Sequence, residues 1–190
     1  MNPTSTFLES SLKLFKFYKR LGENAMQQVP DEKLSWQYNE DSNSIATIVK
    51  HLSGNMHSRW TDFLTTDGEK EWRERDAEFE TDIPSREAIL KRWEEGWKVL
   101  FDAIQPLAED DFQKTVYIRN EGFTVIEAIS RQLAHYACHV GQIIYLAKMY
   151  SQEPWQSLSS PRGKSASYNR TKINSPSPNV PSSHKFQNKK

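Results

Sequence analysis

Residues 124–150 read TVIEAISRQLAHYACHVGQIIYLAKMY. Within them Ile126, Ile129, Leu133, Tyr136, Val140, Ile144 and Ala147 recur every three or four positions, the spacing that lines apolar groups along one side of a helix. Thr124 followed by Glu127 has the spacing of a capping box, in which each side chain answers an unpaired backbone N–H at the helix start. The stretch is therefore a long amphipathic helix with a defined beginning, and it must pack its apolar side against other elements.

Three earlier stretches supply partners with the same periodicity. Phe7, Leu8, Leu12, Phe15, Tyr18, Leu21, Ala25 and Val29 form the first, with Thr6 and Glu9 at capping-box spacing and Pro30 as its stop. Ile45, Ile48, Val49, Leu52, Met56, Trp60 and Phe63 form the second, capped by Asn43 or Ser44 and closed by the turn Asp67-Gly68. Ile89, Leu90, Trp93, Trp97, Leu100, Phe101 and Ile104 form the third, between Pro84-Ser85 and Pro106.

Four such helices predict an all-α fold, an antiparallel four-helix bundle. Residues 67–83 are charged, carry Trp72 and Phe79, and exceed what a short connection needs, so a long crossover loop is expected between the second and third helices. Thr115–Ile118 and Asn120-Glu121-Gly122 read as a short extended piece or hairpin before the fourth helix. The expected organisation is a bundle over 1–150, a partly docked extension over 151–170 through Trp155 and Leu158, and a disordered basic tail over 171–190, rich in Ser, Pro, Asn and Lys.

The chain has 190 residues, 36% hydrophobic and 26% charged, with a net charge of zero. That is enough to bury one core without a disulfide or a structural metal. Residues 151–190 hold seven Lys or Arg against the single acid Glu153, but the sparse aromatic interleaving argues against nucleic-acid binding. The N-terminus lacks a secretory pattern, no apolar run approaches a membrane span, and Cys138 is the only cysteine. A cytoplasmic protein without membrane contact is the expectation.

His135 and His139 are spaced i, i+4, so their imidazoles lie one turn apart on one side of the fourth helix and can share an ion. At about 100° per residue the pair sits on the flank of the apolar face, alongside Ala128, Gln132, Gln142 and Leu146. His51 occupies the equivalent flank of the second helix. Two flanks that meet bring three imidazoles together, a set suited to Zn, Ni, Fe or another divalent ion, with positions left open for water or substrate. The plainer alternative is three hydrogen-bonded polar residues at a helix boundary. His57 points elsewhere by about 120°, His184 lies in the tail, and Cys138 is read as a small core residue. There is no phosphate-cradling glycine loop, no Ser/His/Asp order of a triad and no paired-cysteine zinc signature.

The segments Ile48-Val49-Lys50-His51-Leu52-x-x-Asn55 with Arg59, and His135-Tyr136-x-x-His139-x-x-Gln142-Ile143, resemble the DinB-like (damage-inducible-type) metal-binding four-helix superfamily, which includes bacillithiol- and mycothiol-dependent transferases. The resemblance covers roughly residues 5–150. Arg59-Trp60-x-Asp62-Phe63-Leu64 running on to Asp67-Gly68-Glu69-Lys70, and Trp155-x-x-Leu158-Ser159-x-Pro161-x-Gly163-Lys164-Ser165, look like an uncharacterised branch of it. The resemblance implies the bundle, a divalent-metal site at His51, His135 and His139, and a homodimer. The tail beyond Asn169 departs from the branch pattern.

The leading functional expectation is a metal-dependent thiol transferase or a related transfer or hydrolytic enzyme. The ion turns a low-molecular-weight thiol into a thiolate, and Asn55 and Arg59, one and two turns beyond His51, orient an anionic substrate or support a ligand. Helix packing or an ordinary salt bridge is the plainer reading of these two. The alternatives are a non-catalytic metal-binding or stress-response protein and a metal-free helical interaction module.

Overall fold

The computed structural model describes residues 3–80 and 85–173. The helices in chain order are α1 (Pro3–Met26), α2 (Asp31–Leu34), α3 (Ile45–Trp60), α4 (Arg86–Ile104), α5 (Val125–Tyr150) and α6 (Ser165–Ile173). A two-stranded sheet, β1 (Thr115–Ile118) and β2 (Glu121–Thr124), leads into α5. The protein is thus mostly helical. No helix among the described residues is long and apolar enough to cross a membrane.

The helix starts follow local chemistry. The Ser44 hydroxyl accepts from the Thr47 N–H and the Ser85 hydroxyl from the Ala88 N–H. At α5 both halves of the capping box form, Thr124 Oγ1 accepting from Glu127 N–H and Glu127 Oε2 from Thr124 N–H. Two boundaries differ from the sequence reading. α1 begins at Pro3, ahead of the expected cap Thr6, because proline is well placed in a first turn that has no use for its N–H. α3 stops at Trp60 rather than near Asp67-Gly68, because Asp62 takes the left-handed conformation (φ 50°) and its carbonyl accepts from the N–H groups of Thr65 and Thr66.

The four long helices pack in pairs, α1 against α5 and α4, and α3 against α4 and α5, around one apolar core. Where α3 meets α4 the approach is close: a Cβ at Gly96 would lie 3.0 Å from the Ser53 backbone. At the centre Phe15, Trp97 and Tyr136, from α1, α4 and α5, meet at ring-centroid distances of 5.8–6.2 Å. The Tyr136 hydroxyl then reaches α3, accepting from Trp60 Nε1 (2.9 Å) and donating to Asn55 Oδ1 (3.0 Å). One buried side chain therefore touches all four long helices.

β1 and β2 pair antiparallel, Thr115 opposite Thr124 and Ile118 opposite Glu121. Arg119 and Asn120 between them both have positive φ, the requirement of a tight two-residue hairpin turn. The Asp67 carboxylate accepts from both of their N–H groups (2.9 and 2.8 Å) and so holds the strained turn from outside. Gly68 N–H donates to the Tyr117 carbonyl (2.7 Å), docking the start of the α3–α4 connection on the hairpin.

Beyond α5, Trp155 and Leu158 pack against the core, and the Gln28 side-chain amide donates to the Gln156 carbonyl and accepts from the Gln156 N–H. α6 follows, with most of its surface exposed. The tail read as disordered over 171–190 lies, from residue 174 onward, outside the described residues, and His184 with it.

Tyr136→Phe removes the hydroxyl and leaves Trp60 Nε1 and Asn55 Oδ1 buried without partners. The expected loss is about 1–3 kcal/mol, a fall in Tm of roughly 2–4 °C per kcal/mol, read by thermal and urea unfolding. An unchanged midpoint would show that the polar link between α3 and α5 contributes nothing.

Candidate metal centre

His51 on α3 and His135 and His139 on α5 come together as the wheel arithmetic anticipated. One ring nitrogen of each lies within 4.8 Å of the others. His135 Nε2 stands 3.4 Å from His51 Nε2 and 3.1 Å from His139 Nε2. Two nitrogens bound at about 2.0–2.1 Å to a tetrahedral zinc are about 3.3 Å apart. The two pairs that include His135 have the spacing of ligands to one small ion.

The other ring nitrogens decide where the protons sit. His51 Nδ1 faces Glu78 Oε2 at 2.9 Å, and His139 Nδ1 faces Gln142 Oε1 at 2.9 Å. A carboxylate and an amide oxygen only accept, so both Nδ1 atoms carry hydrogen and both Nε2 atoms of the neutral rings carry a bare lone pair. A hydrogen on His135 Nε2 would satisfy one of these lone pairs and leave the other facing it. A cation in the middle satisfies all three.

Electrostatics favours uncharged rings at His135 and His139. Burial, the nearby His139 and His51, and the positive field of Arg59 and Arg73 push His135 down to about 3. Burial lowers His139 as well, against the hydrogen bond to Gln142. For Glu78 burial works toward the neutral acid, but the hydrogen bonds from His51 and Arg73 outweigh it and hold the carboxyl below its usual range. His135 and His139 are thus held neutral, and Glu78 stands as an anion behind His51, the backing a divalent ion requires of its ligands.

Glu78 was not foreseen from sequence. It sits in a 3-10 turn, Asp76–Phe79, within the connection between α3 and α4, and is buried. Arg73 grips it with two bonds, Nε to Oε1 (2.7 Å) and Nη2 to Oε2 (3.0 Å). Phe79 stacks on the His51 ring at 5.2 Å, and the Lys50 ammonium donates to the Glu80 carbonyl (3.1 Å). Gly54 makes room, since a Cβ there would fall 2.3 Å from Glu78 Oε1. In a connection containing many acids, nothing in the spacing singles out this one.

Asn55 and Arg59 are both buried, at 5% and 8% exposure, and both have internal partners. Asn55 receives the Tyr136 hydroxyl. Arg59 donates to the Gly68 carbonyl and to Glu69 Oε2 (3.3 and 3.2 Å), the carboxylate that also receives Arg119 Nε (3.1 Å). Burial lowers the Arg59 pKa, with Glu69 opposing. His57 turns away from the cluster to the Ser53 carbonyl (2.9 Å). Cys138, read from sequence as a core residue, is exposed beside Gln142: it lies two positions from Tyr136, so its side chain points to the opposite side of the helix.

The depressed pKa of His135 sets a pH dependence for the metal-free fold. Unfolded, the ring titrates near its ordinary value of 6.5; folded, near 3. The unfolded chain therefore binds the extra proton across that window, and stability present above pH 6.5 is lost progressively as pH falls toward 3. Metal-free protein should melt lower at pH 5 than at pH 7, with a smaller difference for His135→Ala. Equal pH slopes for the two proteins would contradict a buried neutral ring.

Comparison with known proteins adds one finding. Residues 2–164 match the model of the family described as "Protein of unknown function (DUF1572)". No curated protein matches the chain. The match takes in α1 through α5, all three histidines, the Glu78 turn and the docked segment with Trp155 and Leu158, and on that coverage the chain belongs to the DUF1572 family.

Proposed function

We propose that this is a divalent-metal-binding protein with an open three-histidine centre, on an antiparallel four-helix bundle of the DinB-like type. The observation that carries this reading is the convergence of three ring nitrogens within 4.8 Å of one another, with His135 Nε2 at 3.4 and 3.1 Å from the Nε2 atoms of His51 and His139, which are bare because Glu78 and Gln142 take the Nδ1 hydrogens. His51, His135 and His139 hold the ion. Three neutral ligands leave its charge uncompensated and a coordination position free.

We further propose transfer chemistry on a low-molecular-weight thiol as the use of the centre, on the strength of the resemblance to the superfamily that contains bacillithiol- and mycothiol-dependent transferases. A bound divalent ion lowers the pKa of a coordinated thiol or water and supplies a nucleophile near neutral pH. The protein's part is to hold the rings neutral and oriented. Asn55 and Arg59 serve that end indirectly, Asn55 by fixing Tyr136 beside His135 and Arg59 by fixing residues 68–69 against the hairpin.

One observation favours a second reading, metal binding without catalysis. Both Nη atoms of the Arg59 guanidinium, expected to orient a substrate carboxylate, bond to Gly68 and Glu69.

The deciding measurement is elemental analysis of untagged protein purified without chelator, beside His51→Ala/His135→Ala/His139→Ala. Near one equivalent of metal in the parent and none in the mutant is expected, and His139→Ala alone should abolish stoichiometric binding while the helices still fold. Metal in neither protein would overturn the reading. Loaded protein that consumes no thiol with any electrophile tested would favour the second reading over the first.

A further inference from the structure

The three histidines are not equivalent in what stands behind them. His51 Nδ1–H donates to a carboxylate, Glu78 Oε2 (2.9 Å); His139 Nδ1–H donates to a neutral amide, Gln142 Oε1 (2.9 Å); His135 Nδ1 is buried with no hydrogen-bond partner. A hydrogen bond to an ionised acceptor is roughly twice as strong as one between neutral groups. It fixes the tautomer and ring orientation and makes the bare nitrogen a stronger donor to a metal.

Glu78 is itself held on several sides. Its side chain is 8% exposed, Arg73 (3% exposed) grips both oxygens, and the ring of Phe79 covers the His51 imidazole from the same turn. Gly54 on α3 is the seat, since any Cβ there would meet the carboxylate at 2.3–2.7 Å. Arg73 is tied in turn to Glu69 Oε1 (3.5 Å), which anchors the turn's entry to α3 through Arg59. A buried ion pair of this kind costs desolvation and is weak evidence of a contribution to stability alone. Its geometry is that of an orienting group.

We infer that Glu78 is a positioning residue of the metal centre, whose Arg73-held carboxylate acts through His51 Nδ1 to make His51 the strongest of the three ligands, ahead of His139 and His135. The inference rests on the metal-binding reading above. It assigns the described part of the connection between α3 and α4, which supplies none of the three histidines, a direct part in metal affinity.

The test is titration of the metal-free full chain with Zn²⁺ against a competing chelator at pH 7.5, for parent, Glu78→Gln, Gly54→Ala and Gln142→Ala. Glu78→Gln preserves shape and leaves Arg73 its bond to Glu69, so folding should survive; Gly54→Ala displaces the carboxylate without touching a ligand. Both should weaken Zn²⁺ binding by about 10- to 100-fold, the usual range for a group that orients a ligand. Gln142→Ala should weaken it less. Ring ¹⁵N chemical shifts, a readout that a merely structural role would not move, should show the Nδ1–H tautomer of His51 dominant in the parent and depleted in Gly54→Ala. Parent that binds one Zn²⁺ while Glu78→Gln and Gly54→Ala bind within twofold of it would overturn this inference and leave the metal reading standing. Parent that binds no Zn²⁺ would overturn both.

Discussion

The hydroxyl of Tyr136 fixes the relation on which the candidate centre depends. It bridges Trp60 Nε1 and Asn55 Oδ1 on α3 from a position on α5 adjacent to His135. Apolar packing between helices tolerates small slips, because dispersion contacts are numerous and non-directional. A buried hydrogen-bonded chain does not, since a slip leaves polar atoms without partners in a place water cannot reach. With α3 and α5 locked in register at Asn55, Trp60 and Tyr136, His51 has one turn to present to His135 and His139. Burial also pushes the tyrosine's pKa up, so it stays a hydroxyl able to donate as well as accept.

A second tier of interactions runs outside the core through charge. Arg119 and Arg59 meet at Glu69, Glu69 meets Arg73, Arg73 grips Glu78, and Glu78 accepts from His51. The chain of contacts starts at the hairpin turn and ends at a ligand ring. Most of its members are largely buried, where such pairs are screened far less than on an open surface. The hairpin and the α3–α4 connection thereby form a brace around one side of the centre. This accounts for a feature the helices alone leave unexplained, a connection richer in charged and aromatic residues than a link between two helices needs.

Much of the helical layout was legible in the chain because it is encoded locally. The Ser44 and Ser85 caps and the Thr124–Glu127 box depend on side chains within three residues of the N–H groups they satisfy, and the periodicity of α5 shows which side is buried. Two single-residue readings failed. α3 ends early because Asp62 turns left-handed, and Cys138 faces outward although its helix is apolar overall. The His135–His139 pair was visible as a spacing, and His51 as a matching flank, yet an i, i+4 pair occurs on many helices for other reasons.

The amino-acid pattern alone encoded where α3, α4 and α5 begin, which helix faces are apolar, and that three histidines lie on flanks able to meet, since each of these follows from interactions within a few residues of one another. It took the tertiary structure to show that the three ring nitrogens converge within 4.8 Å of one another, that Asn55 and Arg59 bond to internal partners, and that Glu78 stands behind His51. The physical reason is separation along the chain: His135 follows His51 by 84 positions and Glu78 follows it by 27. Contacts across such distances are set by how the helices pack and where the connection docks.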